Sequence, residues 1–277
     1  MRLATILMAA TAALSLGGPA RAASVEIKDA VARVTVIPEA RGDVKVEVIA
    51  ANPRLPLQVR VVRGRTIIDG RLDRRIRGCD GTGQAVVAHV LRLGDVAWRD
   101  MPQVVVRTPR DVDIDTGGAI WGSIGRSASL SLGNAGCGGW TVGNVAGAMR
   151  ISQAGSGDTR TGSAGSAKIR VAGSGDIRAT DIRGGLEVDV AGSGDVTVAS
   201  LSGPLEVHVA GSGDVRVDAG RATSMDVALM GSGDVSFGGV AGSLKARIAG
   251  SGDVRAHAVR GPVAKTVVGS GRVRIGD

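Results

Sequence analysis

An all-β parallel β-helix is the fold this sequence predicts, and three observations predict it. The first is a tetrapeptide, Gly-Ser-Gly-Asp, that begins at Gly155, Gly173, Gly192, Gly211, Gly231 and Gly250 and returns at Gly269 with Arg272 in its last place. The steps between copies are 18, 19, 19, 20, 19 and 19 residues, a period that marks a stacked repeat architecture. The second is strict alternation of apolar and polar residues on both sides of each tetrapeptide, as in Leu186, Val188, Val190 and then Val196, Val198. The third is composition. With 44 glycines, no tyrosine, one phenylalanine and three tryptophans, the 277-residue chain must build its core from small aliphatics.

The elements follow in chain order. Residues 1–22 read as a secretory signal peptide, with Arg2 as the positive start, an apolar stretch over 3–16 and an A-x-A cleavage site at Ala20, Arg21 and Ala22. The mature chain is expected to start at Ala23, and no later stretch is apolar enough to cross a bilayer as a helix. Residues 23–113 form an irregular β-rich portion. Val25 and Ile27, Val34 and Val36, Val44, Val46 and Val48, and Val59 and Val61 show period two, with turns at Pro38, Asn52-Pro53, Gly64 and Gly70. The charged stretch 71–79, with Arg71, Arg74, Arg75 and Arg77, reads as a solvated loop, and residues 103–115 as one strand leading into the repeats. Residues 114–277 form the β-helix repeat domain, with degenerate rungs at 120–122 and 130–140 ahead of the regular ones.

Each regular repeat reads as two short strands joined by a tight turn. One repeat alone buries too few aliphatics to offset the entropy of ordering about 19 residues, so stability has to come from stacking. Parallel stacking at about 4.8 Å per rung pairs every backbone group, and the twist of parallel crossovers predicts a right-handed helix. The glycines suit the corners, where stacked backbones come close, and Ser and Asp can bond nearby amides there.

Stacking also aligns Asp158, Asp176, Asp195, Asp214, Asp234 and Asp253 in one column, where like charges repel by about 1 kcal/mol per pair even in water. Two places further on stand Arg160, Arg178, Thr197, Arg216, Ser236, Arg255 and Arg274, so a basic column is expected to offset the acidic one. Together they form a candidate binding stripe. In the last rung Arg272 replaces the aspartate and Lys265 takes a place that is apolar in the middle rungs, which suits a cap. Cys79 and Cys137 are the only cysteines, and in an oxidising compartment they are expected to form a disulfide.

These residues resemble the auto-transporter adhesin head GIN domains, a family of unknown function found in exported bacterial proteins. The Gly-Ser-Gly-Asp corners and the strands over 186–190, 205–209 and 244–248 carry the resemblance. It implies a β-helix and an envelope location, and through the family's name it suggests adhesion; it implies no catalytic residue.

A formal net charge of +8, to which Arg2 and Arg21 contribute two, points to anionic surroundings such as envelope polysaccharide or lipid head groups. Nucleic acid is not expected as a partner, because single-strand binding relies on aromatic stacking. The reading is therefore an exported, non-enzymatic envelope protein of the periplasm or cell surface. It acts as an adhesin-like scaffold or binding module that offers its Asp/Arg stripe to a polysaccharide or protein partner, and needs no cofactor. A homo-oligomer is compatible with it.

Two alternatives compete. Calcium could bind at the corners, since glycine-rich nonapeptide repeats bind it through Gly-Gly-x-Gly-x-Asp turns; here each corner offers only one carboxylate and one hydroxyl. A polysaccharide lyase or hydrolase would need two carboxylates at a set separation in a groove. His89, His208 and His257 are scattered, and the last two fall at outward positions.

Overall fold

A computed structural model describes residues 23–81 and 83–276. The expected signal peptide and its cleavage site lie outside the described residues. The chain forms a β-solenoid of about nine turns whose coils stack in parallel. In the repeat region the register is the one the tetrapeptides imply. Leu186, Leu205, Met225, Leu244 and Val263 are successive partners, as are Gly192, Gly211, Gly231, Gly250 and Gly269. Each coil contributes two strands, for example Ser166–Gly173 and Ile177–Ile182, separated by the corner.

Alternation explains the core. Val188, Val207 and Val227 are fully buried, while their neighbours Glu187, Glu206 and Asp226 face outward. The corner explains the glycines: Gly211 has φ +137°, and a Cβ there would stand 2.2 Å from the carbonyl oxygen of Gly192 one coil away. Only glycine permits that approach.

The first ninety residues depart from chain order. Strand β1 (Ser24–Glu39) is followed by β2 (Lys45–Ala50), β3 (Gln58–Val62) and β4 (Arg65–Asp69). Strands β5 (Ile76–Asp80), β6 (Val87–Val90), β7 (Gly94–Ala97), β8 (Gln103–Pro109), β9 (Asp111–Ile124) and β10 (Ser129–Gly136) come next. On one side β1 pairs in parallel with β9, Val25 opposite Ile114 and Val36 opposite Ile124. On its other side it pairs in parallel with β4 and then β8. The outermost layer, β3 on β4 and β2 on β8, is antiparallel. So β1 is an inner coil, and β9 carries the solenoid on to β10.

Residues 113 and 114, on either side of the expected boundary, both lie in β9, and Val25, Ile68 and Val104 share one continuous core with Val227 and Ala256. Two expectations are corrected here. Residues 103–115 are two strands, because the chain breaks at Arg110 to pass from the coil on one side of β1 to the coil on the other. Residues 71–79 are a 3-10 turn over Asp73–Arg75 running into β5, because Ile76 packs against a second small core with Leu72 and Ala88. Strands β5, β6 and β7 form a separate antiparallel sheet over that core.

Candidate functional site

The predicted stripe assembles, and its wiring is more specific than charge pairing. Each aspartate sits just after a corner, and its Oδ1 accepts the backbone N–H of the residue one coil on. Asp176 N–H donates to Asp158 at 3.1 Å, Asp195 to Asp176 at 3.1 Å, and Asp214 to Asp195 at 2.8 Å. Asp234 then donates to Asp214 and Asp253 to Asp234, both at 2.8 Å, and Arg272 donates to Asp253 at 3.0 Å. The column is a hydrogen-bond ladder in which each carboxylate is held by the coil beyond it. That contact gives each carboxylate a backbone donor, which offsets the repulsion expected between stacked charges.

The arginines come second. Arg160, Arg178, Thr197, Arg216, Ser236, Arg255 and Arg274 are successive register partners, so the outward column exists as predicted. Arg178 donates to Asp176 Oδ2 at 3.1 Å. Arg255 bridges Asp234 at 2.9 Å and Asp253 at 3.0 Å, and Arg274 lies 3.5 Å from Asp253. The bond to Asp234 raises the Arg255 pKa above its ordinary value, against an opposing effect of burial. Arg216 turns instead to Asp218. Arg160 makes no ion pair among the described residues. The arginines thus join the stripe at some coils and leave it at others.

A groove of about 690 Å³ runs across the coils beside the corners, and sequence reasoning had not singled it out. Its floor is the residue before each first glycine: Ala135, Ala154, Ala172, Ala191 and Ala210, with Met230 at one end. One wall carries Arg170, Asp189 and His208 from successive coils, linked by Arg170 to Asp189 at 3.3 Å and His208 to Asp189 at 3.4 Å. The signal was present in the repeat as an alanine that never becomes large and aliphatic until Met230.

Cys79 and Cys137 form the expected disulfide and tie β5 to the residue after β10. Nearby, His89 on β6 bridges Asp95 at 2.7 Å and Asp80 at 2.8 Å, and these two carboxylates, Asp95 first, hold its pKa above the ordinary 6.5. No group of three or more His, Cys, Asp or Glu side chains among the described residues is placed to hold a metal ion. The calcium reading therefore has no ligand cluster to rest on there.

A family model described as "Putative auto-transporter adhesin, head GIN domain" matches residues 100–218 and again 201–276. Among solved structures, a protein of Parabacteroides distasonis described as a "putative lipid binding protein" is similar in fold, with a TM-score of 0.54 and 18% identity over 92% of this chain and 93% of that one. No curated protein matches the chain.

Proposed function

Since the chain belongs to the auto-transporter adhesin head GIN domain family, we propose that it is an exported, non-enzymatic binding module of the periplasm or cell surface, whose solenoid flank engages an envelope polysaccharide or protein. The observation that carries this reading is the repetition of one polar pattern along the flank, with Arg160, Arg178, Arg216, Arg255 and Arg274 in a single register column. A surface that repeats at coil spacing offers a polymer the same partners again and again. The disulfide suits an oxidising compartment. The carboxylates of the column hold backbone amides, which supports a binding role over acid–base catalysis.

The test is retention of the purified protein on immobilised envelope polysaccharides and envelope proteins. Retention that drops with salt and is lost when Arg178, Arg216 and Arg255 are changed together to Gln is the expected result. A triple variant retained as well as the parent would overturn the role of the stripe.

A second reading rests on the alanine-floored groove, whose apolar floor suits an acyl chain; the solved neighbour's description as a "putative lipid binding protein" agrees with it. Co-sedimentation with phosphatidylglycerol vesicles, abolished by Ala191→Arg, would favour this reading over the first.

A further inference from the structure

A cleft of about 920 Å³ opens between the small β5–β7 sheet and the flank of the solenoid. All three tryptophans of the chain, Trp98, Trp121 and Trp140, line it, although the sequence holds only one other aromatic side chain, Phe237, outside the histidines. Trp98 and Trp121 meet edge to face with centroids 6.4 Å apart, and the Arg33 guanidinium lies 5.1 Å from the Trp98 centroid. Trp140 lies across Gly122, where a Cβ would stand 2.2 Å from the indole. Cys79 on β5 and Cys137 just after β10 both line the cleft, so the disulfide ties the small sheet to the solenoid there.

The polar groups here are under-used. Arg33 Nε is buried without a hydrogen-bond partner, and its Nη2 only reaches the Met101 carbonyl at 3.5 Å. Leaving such a donor unpaired costs about 1–3 kcal/mol, and the Trp140 indole N–H in the same lining is likewise buried without a partner. Arg160, at the rim, is the one arginine of the stripe with no ion pair among the described residues. Gln84 and Gln103 add neutral amides to the walls, and the two carboxylates of the lining are already engaged, Asp80 with His89 at 2.8 Å and Asp158 with the Asp176 amide at 3.1 Å.

We propose that this cleft binds a carboxylate-bearing sugar, a uronate unit within an acidic polysaccharide. An indole face accepts the C–H face of a pyranose. Guanidinium groups take a carboxylate in a planar, bidentate fashion that no neutral sugar can match. The volume falls in the range of small-ligand sites. Arg178 is the register partner of Arg160 one coil on, so a polysaccharide leaving the cleft runs directly onto the stripe. The assignment rests on the reading of the chain as a polysaccharide-binding module and names the sugar and the place where it is held.

Because the chain has no tyrosine and all its tryptophans line this cleft, intrinsic fluorescence reports on the site. The protein is titrated with a galacturonate trisaccharide and with the matching galactose trisaccharide. A saturable change with the acidic trimer, at least about tenfold weaker with the neutral one, is expected. Arg160→Gln, on an exposed outward position, should weaken the acidic trimer about tenfold and leave the melting temperature unchanged, and Trp121→Ala should abolish the response. If Trp121→Ala fails to fold, Arg160→Gln decides alone. No saturation by about 10 mM, equal response to both trimers, or an unaltered Arg160→Gln titration overturns the assignment. Retention on acidic polysaccharide that survives both variants removes the cleft and leaves the binding-module reading standing; loss of retention by the parent protein removes that reading too.

Discussion

The coils from Ala148 to Gly250 and the coils built around β1 share one aliphatic core, yet they use their surfaces in opposite ways. In the regular coils every corner repeats, each aspartate is held by a backbone amide, and no tryptophan interrupts the pattern. Around β1 the chain makes a long excursion and gathers all its tryptophans, its disulfide and an arginine with an unpaired nitrogen into one cleft. Repetition satisfies the corner aspartates by making each coil complete the last, although Gln153 Nε2 in the same coils is buried without a partner. At the interruption Arg33 Nε is left without a partner beside the cleft proposed above to hold a sugar.

The contrast can be tested by removing what each region depends on. The largest effect is expected from Gly211→Val. Its Cβ would stand 2.2 Å from Gly192 O at a positive φ, so strain and clash should remove about 4 kcal/mol or more and lower the melting temperature by roughly 10 °C. Gly185→Ala, whose Cβ would meet only Pro204 at 3.5 Å, should leave the melt within about 2 °C in the same circular-dichroism scan. Equal melts would mean that the corners tolerate side chains.

Changing Cys79 and Cys137 together to Ala should come next. The bridge closes a loop with a sequence separation of 58, worth about 4 kcal/mol, and the loss should be local to the β5–β7 sheet. Limited trypsin digestion is expected to cut at Arg74, Arg75 or Arg77 while the coil signal in circular dichroism persists. Simultaneous loss of both would show one cooperative unit.

A smaller effect is expected in the ladder. Asp214→Ala deprives the Asp234 amide of its acceptor and should cost about 1–2 kcal/mol in a urea titration, whereas Asp214→Asn keeps an oxygen there and should cost less than about 1. Identical costs would count against the carboxylate acting as a backbone acceptor.

The smallest concerns His89. Its pKa is raised in the folded sheet by Asp95 and Asp80. The contribution is full below the unfolded value near 6.5 and is lost as pH rises through the raised folded value. Hydrogen exchange at Val87–Val90, corrected for intrinsic rates, should therefore speed up across that interval, while the coils around Val207 show no such step.

How much of this could be read from residues alone differs between the same two regions. The period of the tetrapeptide predicts the register of Leu186, Leu205 and Leu244 and the two charged columns, because stacking leaves no other alignment. It does not reveal that Asp214 reaches for an amide before an arginine, since a period shows which residues align and not which donors they meet. Around β1, the alternation of Val25, Ile27, Val34 and Val36 is the same whichever strand lies alongside, so nothing local announces that β9 is the partner on one side and β4 and β8 on the other. The cysteine pair was legible from compartment and count. The tryptophan cleft was not, because residues 98, 121 and 140 share no spacing and meet only through the fold.

The position of β1 also sets a timetable. The regular coils can close one upon another in the order in which they are made, each finding its template already in place. β1 is made before either of its neighbours, and at roughly 5–20 residues per second it waits several seconds for β4, β8 and β9. During that wait it is a long, alternately apolar strand with two open edges, the form most apt to pair with a stranger. Keeping this nascent segment solitary until Asp111–Ile124 arrives is thus a kinetic demand that the finished stack conceals.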